Sequence, residues 1–139
     1  MFSDPSCVDL VRFNFGHWDI AHWRGGEFSL TSESEYARNL QIIIDMIAKA
    51  FSRAKIVFAT TTTMNPSGKL GVNPRTNEEI SRYNEIAKAV ASKNNIPVND
   101  LFAITKDWES SCYRDYCHFT EEANTVLGQI VATTLKSYL

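Results

Sequence analysis

The chain has 139 residues, with 14 lysines and arginines against 16 aspartates and glutamates, for a formal charge of −2. With 44% hydrophobic and 22% charged residues it reads as one folded globular domain over residues 1–139, which excludes collagen, coiled-coil and low-complexity classes. No Lys/Arg cluster concentrates positive charge, so neither nucleic acid nor an anionic membrane is an expected partner. The apolar runs 41–51 (broken by Asp45 and Lys49) and 56–59 fall far short of the roughly 20 residues that span a bilayer. No basic region followed by an apolar stretch opens the chain, so no signal peptide is read and the cytoplasm is the default location. Cys7, Cys112 and Cys117 are too few and odd in number for a disulfide framework, and reduced thiols are expected.

The segment 8–15, largely apolar and β-forming, stops at Gly16 and predicts a first strand ending in a turn. A loop through His22, Arg24, Gly25 and Gly26 follows. Ser32 with Glu35 forms a capping box opening a helix whose apolar stripe is Tyr36, Leu40, Ile43, Ile44, Ile47 and Phe51. Residues 55–61 predict a strand buried on both faces, and 64–75 a turn-rich surface loop. Thr76 with Glu79 caps a second helix carrying Ile80, Tyr83, Ala87, Val90 and Ala91, ended by Asn94-Asn95. Residues 96–102 read as a third, shorter strand nearer the edge, and 106–117 as an aperiodic polar and aromatic segment. Thr120 caps a last helix with a face of Ala123, Leu127, Ile130, Val131, Thr134 and Tyr138. Strand and helix alternate three times, which implies parallel strands joined by right-handed crossovers.

Ligands of an open parallel sheet bind outside the carboxyl ends of its strands. Those ends carry Asn14, Gly16, His17, Trp18 and Asp19, then residues 60–65, then the loop 108–118. Neither Gly25-Gly26 nor the stretch 68–71 directly follows a strand and opens a helix, so no phosphate cradle is read. Asp115 and His118 stand three residues apart just before the last helix. A carboxylate so placed can hold one ring proton while the other nitrogen faces a substrate hydroxyl or nucleophile, making a general base with its orienter.

With these residues the sequence resembles the SGNH, or GDSL-type, esterase family. Asp115-Tyr-Cys-His118-Phe-Thr120 looks like the family's last block, and Gly16-His17-Trp18-Asp19 like its third block, usually Gly-x-Asn-Asp, placed after a strand. The threonines 61–63, the run Arg82-Tyr83-Asn84 and the segment 98–102 look like spacing elements of carbohydrate-associated members. The resemblance implies a three-layer α/β/α, flavodoxin-like parallel sheet, and an ester hydrolase acting on a carbohydrate acetyl ester. Asp115 would be its orienter, His118 its general base, and no cofactor is required. It also implies an oxyanion and substrate region around Asn14, Gly16, Trp18 and Asp19.

Two features depart from the family. Trp18 stands where the family has its oxyanion-hole asparagine; an indole N–H could replace that donor, as could Asn14, which is preferred here. The Gly-Asp-Ser nucleophile block and the block after it have no counterpart, and Ser3, Ser6, Ser110 and Ser111 sit on no strand-to-helix turn. The sequence thus looks like the last three strands of a five-stranded fold. Its first strand would then present an open edge inviting a second copy of the chain, as would suit a non-catalytic interaction module or an inactive fragment that assembles with a partner chain. A metal site from Cys112, Cys117 and His118, with His17 or His22, is a third reading, and Trp18, Trp108 and Tyr113 are candidates for stacking on a sugar.

Overall fold

The computed structural model describes residues 4–68 and 71–139; Ser3 and the middle of the 68–71 stretch lie outside them. Three parallel strands, β1 (Leu10–Phe13), β2 (Lys55–Ala59) and β3 (Val98–Asn99), form a sheet of order β1-β2-β3. The register sets Phe13 beside Phe58 and Phe58 beside Val98. As β2 predicted, both faces are covered: Val57, Phe58 and Ala59 are all fully buried. The helices are α1 (His17–Ile20), α2 (Glu33–Ala50), α3 (Asn77–Lys93), α4 (Leu101–Thr105) and α5 (Glu121–Lys136).

Both expected capping boxes form, Ser32 with Glu35 and Thr76 with Glu79, and Thr120 caps α5 through the Ala123 amide. Helices α2 and α3 pack on each other. Tyr36, Leu40 and Ile44 of one and Ile80, Tyr83, Ala87 and Val90 of the other close over Phe58 in one core. Each buried large side chain of this kind contributes about 1.5–3 kcal/mol relative to exposure. Asn94 ends α3, and Asn95, at φ 54, makes the turn out of it.

Three local expectations are corrected. The third strand is two residues long rather than spanning 96–102, because Asp100 turns the chain into α4. Its Oδ1 accepts the Ala103 amide at 3.1 Å and the Thr60 hydroxyl at 2.9 Å, while Lys88 pairs with Oδ2 at 2.8 Å. The loop after Gly16 contains the single turn α1. Finally, the apolar face of α5 is buried only at Ala123; Leu127, Ile130, Val131, Thr134 and Tyr138 are half-buried. The helix docks through its first turns on Tyr113, Phe119, Trp108 and Cys112, and its remainder is only partly covered.

Among the described residues β1 pairs only with β2. Phe15 and Asp19, which follow β1, and Asn39, Ile42 and Ile43 of α2 line an apolar groove, with Met46 also exposed on the same helix.

Candidate active site

The loop between α4 and α5 is shaped by one carboxylate. Asp115 Oδ1 accepts the amides of Cys117 at 2.9 Å and His118 at 2.8 Å, so the aspartate folds its own following turn around itself. The Arg114 amide closes the turn on the His118 carbonyl at 2.7 Å. Within that turn His118 Nδ1 lies 2.7 Å from Asp115 Oδ2. The two amides, with the His118 ring, hold the Asp115 carboxyl down at about 2 despite some desolvation. It is therefore ionised at neutral pH and acts as acceptor, which puts the His118 proton on Nδ1 and leaves Nε2 as a lone-pair base.

The segment after β2 anchors this loop to the sheet. Asn65 donates its amide hydrogen to the Tyr116 carbonyl at 2.9 Å and its side-chain NH2 to that of Asp115 at 3.2 Å. Asn77, at the start of α3, brackets Met64 by accepting its amide at 2.6 Å and donating to its carbonyl at 3.1 Å. Two turns further along α3, buried Asn84 binds both the amide and the carbonyl of Thr61 at 2.9 Å. These contacts hold Thr62 where it joins His17, Arg114, Cys117, His118, Phe119, Glu121 and Asn124 around a hollow of about 330 Å³.

His17 reaches the hollow because Gly16 allows it. At φ +151 Gly16 adopts a backbone that side-chain-bearing residues avoid, and a methyl there would collide with Thr61 Oγ1. The His17 ring is held by Arg75, whose Nε–H donates to His17 Nδ1 at 3.2 Å. Arg75 itself is only 4% exposed. Among the described residues no carboxylate pairs with it; besides His17 it meets the Asn73 carbonyl at 3.1 Å, the Cys117 thiol and the rings of Trp18 and Tyr116, 5.9 and 5.8 Å from the guanidinium. Burial, then the charges of Arg75 and His118, press the His17 imidazole down to about 4.

The structure thus brings Asp115 and His118 together. Asn14 is exposed beyond β1, Trp18 is 61% exposed with its ring toward Arg75, and Asp19 Oδ1 accepts the Thr31 hydroxyl at 3.0 Å. Of that group Gly16 acts on the hollow, by positioning its neighbour. His17, Thr62 and Arg75 complete the site; the position of His17 after a strand was the one sequence signal, and nothing near Arg75 announced its role. Trp108 and Tyr113, considered for stacking on sugar, instead pack edge-on or tilted against Phe119 in the α5 cluster.

For a metal, the group whose ligand atoms all lie within 4.8 Å of one another is Asp115, Cys117 and His118, and Cys112 is not part of it. Burial raises the Cys117 thiol, while the charge of Arg75 acts to lower it. His22 is engaged elsewhere: its Nδ1 donates to the Gly26 carbonyl at 2.9 Å and its Nε2 to Glu79 at 2.6 Å, and the Glu79 bond leads in raising its pKa.

A parallel sheet with an Asp-held histidine outside its carboxyl ends defines an α/β fold of the SGNH-hydrolase type. The model described as the GDSL-like Lipase/Acylhydrolase family matches residues 3–126, and the chain belongs to that family. It is 26% identical over 142 aligned residues to the GDSL esterase/lipase WDL1 of Oryza sativa subsp. japonica, covering 95% of this chain and 54% of that protein. Among solved structures it is similar to a lipase/acylhydrolase from Enterococcus faecalis (TM-score 0.67, 22% identity, 93% of this chain and 62% of that one). It is also similar to the acetyl xylan esterase AlAXEase (TM-score 0.71, 18% identity, 91% of this chain and 66% of that one). At those identities the likeness to the solved structures is one of fold. The chain spans about half the length of its curated relative. Among the described residues, no helix is long and apolar enough to cross a membrane.

Proposed function

We propose that this chain carries the acid–base half of an SGNH-type ester hydrolase whose substrate is an O-acetylated carbohydrate. The observation that carries the reading is His118, locked by Asp115 through Nδ1 and lining a hollow outside the sheet's carboxyl ends. A serine hydroxyl delivered beside His118 attacks the ester carbonyl while Nε2 takes its proton. Asp115 keeps Nδ1–H in place and stabilises the imidazolium. Collapse of the tetrahedral intermediate expels the sugar hydroxyl with the proton that His118 returns, and water then releases acetate from the acyl-serine by the same relay. Arg114, Glu121 and Asn124 give the hollow a polar rim suited to sugar hydroxyls, and the fold likeness to an acetyl xylan esterase supports this substrate class.

Among the described residues no serine lines the hollow, and the proposed mechanism takes its nucleophile from outside them. The test is hydrolysis of p-nitrophenyl acetate by the 139 residues alone and by the same residues fused at their N-terminus to a strand and turn bearing a Gly-Asp-Ser nucleophile. Turnover is expected only in the second case and is expected to vanish in His118→Ala. A serine-dependent burst from the chain alone would refute the assignment of the nucleophile.

A second reading, a non-catalytic module that dimerises, is favoured by the open edge of β1 and the groove of Phe15, Ile42 and Ile43. It requires a concentration-dependent dimer in sedimentation, unaffected by His118→Ala.

A further inference from the structure

We propose that His17 is the oxyanion donor of this site, presenting Nε2–H to the hollow, and that Arg75 is the positioning residue that imposes this tautomer. This rests on the ester-hydrolase reading and names a residue for the part of the reaction left open by Trp18, which stands at the family's asparagine position.

The argument begins with what a guanidinium can do. Arginine has donors only, so an Nε–H of Arg75 at 3.2 Å from His17 Nδ1 requires a lone pair on that nitrogen. A neutral imidazole with a lone pair on Nδ1 carries its hydrogen on Nε2. Protonating Nδ1 would set N–H against N–H next to a buried cation, and burial, with the charges of Arg75 and His118 behind it, presses the ring's pKa down to about 4 and keeps it neutral. At neutral pH the ring is therefore neutral, with its hydrogen on Nε2.

That hydrogen is nearly free. Its partner in the structure, Thr62 Oγ1, stands at 3.4 Å, the long end of the hydrogen-bond range. Both residues line the hollow they share with His118. An oxygen developing negative charge there can take the Nε2–H without a strong bond being broken first, and the Thr62 hydroxyl can turn to add a second donor. The positive charge of Arg75 lies directly behind the imidazole and polarises the N–H toward the anion. Its own burial is offset by the Asn73 carbonyl and two aromatic faces rather than by a carboxylate that would cancel its field.

The test is 15N NMR of the full chain with labelled histidine, near neutral pH, titrated with methylphosphonate, a tetrahedral anion shaped like the intermediate of an acetyl ester. The expected result is an unprotonated Nδ1 and a protonated Nε2 for His17, with His17 Nε2–H and His118 both shifting on titration. His17→Phe should weaken methylphosphonate about tenfold, while His17→Gln, which keeps an N–H donor, should retain most of the affinity. Arg75→Gln should mix the two tautomers of His17 in a chain that melts cooperatively, a readout that a purely structural role would not move. A His17 ring protonated on Nδ1 would overturn the proposal. Shifts at His118 alone would overturn it while leaving the ester-hydrolase reading in place, and shifts at neither ring would count against both.

Discussion

His118 and His17 line one hollow and are held at the same ring atom by opposite partners. The carboxylate of Asp115 faces Nδ1 of His118 at 2.7 Å, and the guanidinium of Arg75 faces Nδ1 of His17 at 3.2 Å. An acceptor at Nδ1 makes the far nitrogen a base, and a donor at Nδ1 makes it an N–H. On the proposed reading, two identical side chains are thereby given complementary duties: one takes a proton from the nucleophile, the other steadies the charge that the attack creates. Exposure differs in the same sense. The His118 side chain is 60% exposed, whereas His17 is half-buried and kept neutral.

The comparison breaks most severely at His118. In the protein supplied with its serine, Asp115→Asn should lower kcat about a thousandfold or more with KM little changed. The asparagine can keep the two backbone bonds through its oxygen, yet its NH2 group would face Nδ1 and turn His118 into a copy of His17. Measured kcat within tenfold of the parent would show that the carboxylate does not set the tautomer.

Breaking the other histidine should have a smaller effect. His17→Phe is expected to reduce kcat about a hundredfold, the usual loss for one oxyanion donor, with His17→Gln recovering a large part of it. Equal losses in the two variants would mean that shape rather than the N–H matters.

Gly16→Ala tests what brings the two rings to one hollow. Strain at φ +151 and the collision with Thr61 should destabilise the chain by about 1–3 kcal/mol in urea unfolding. An unchanged midpoint would show that the turn relaxes freely.

The smallest effects should appear in the dependence of stability on pH. His17, held neutral when folded, lets only the unfolded chain take a proton, so its contribution is complete above pH 6.5 and lost as pH falls toward about 4. The depressed Asp115 contributes above pH 3.8, and that is lost as pH falls through about 2. His22 runs the other way: clamped between Gly26 and Glu79, it contributes fully below pH 6.5, and this is lost as pH rises through its raised value. Thermal melts between pH 4 and 8 should show His17→Gln flattening the acid limb and His22→Gln the alkaline one. A His17→Gln chain with the parent's acid limb would contradict a neutral His17.

Much of the scaffold is legible in the sequence because its determinants are local. Capping boxes join residues three apart, and the stripes of α2 and α3 repeat within a turn, so Ser32, Glu35, Thr76 and Glu79 mark helix starts in the sequence as they do in space. The Asp115–His118 pair is legible for the same reason: a carboxylate can fold over the two amides that follow it. Less legible was the end of the sheet, where Asp100 bonds Thr60 from a distant strand and converts an expected strand into α4. Equally hidden was the partial burial of the α5 face, which depends on what packs against the helix and not on its own pattern.

By itself the sequence determined three parallel strands in order, the helices between them, and a paired aspartate and histidine on the last loop, because these follow from periodicity, caps and a three-residue turn. Only the tertiary structure decided that His17 and Arg75, 58 positions apart, would meet beside His118. Their bond exists because Gly16 presses against Thr61, Asn77 and Asn65 tie the loop after β2 to the helix and the site loop, and Trp18 and Tyr116 close over the guanidinium. A tautomer is set by the partner a ring nitrogen meets, and that partner is supplied by packing across the whole fold.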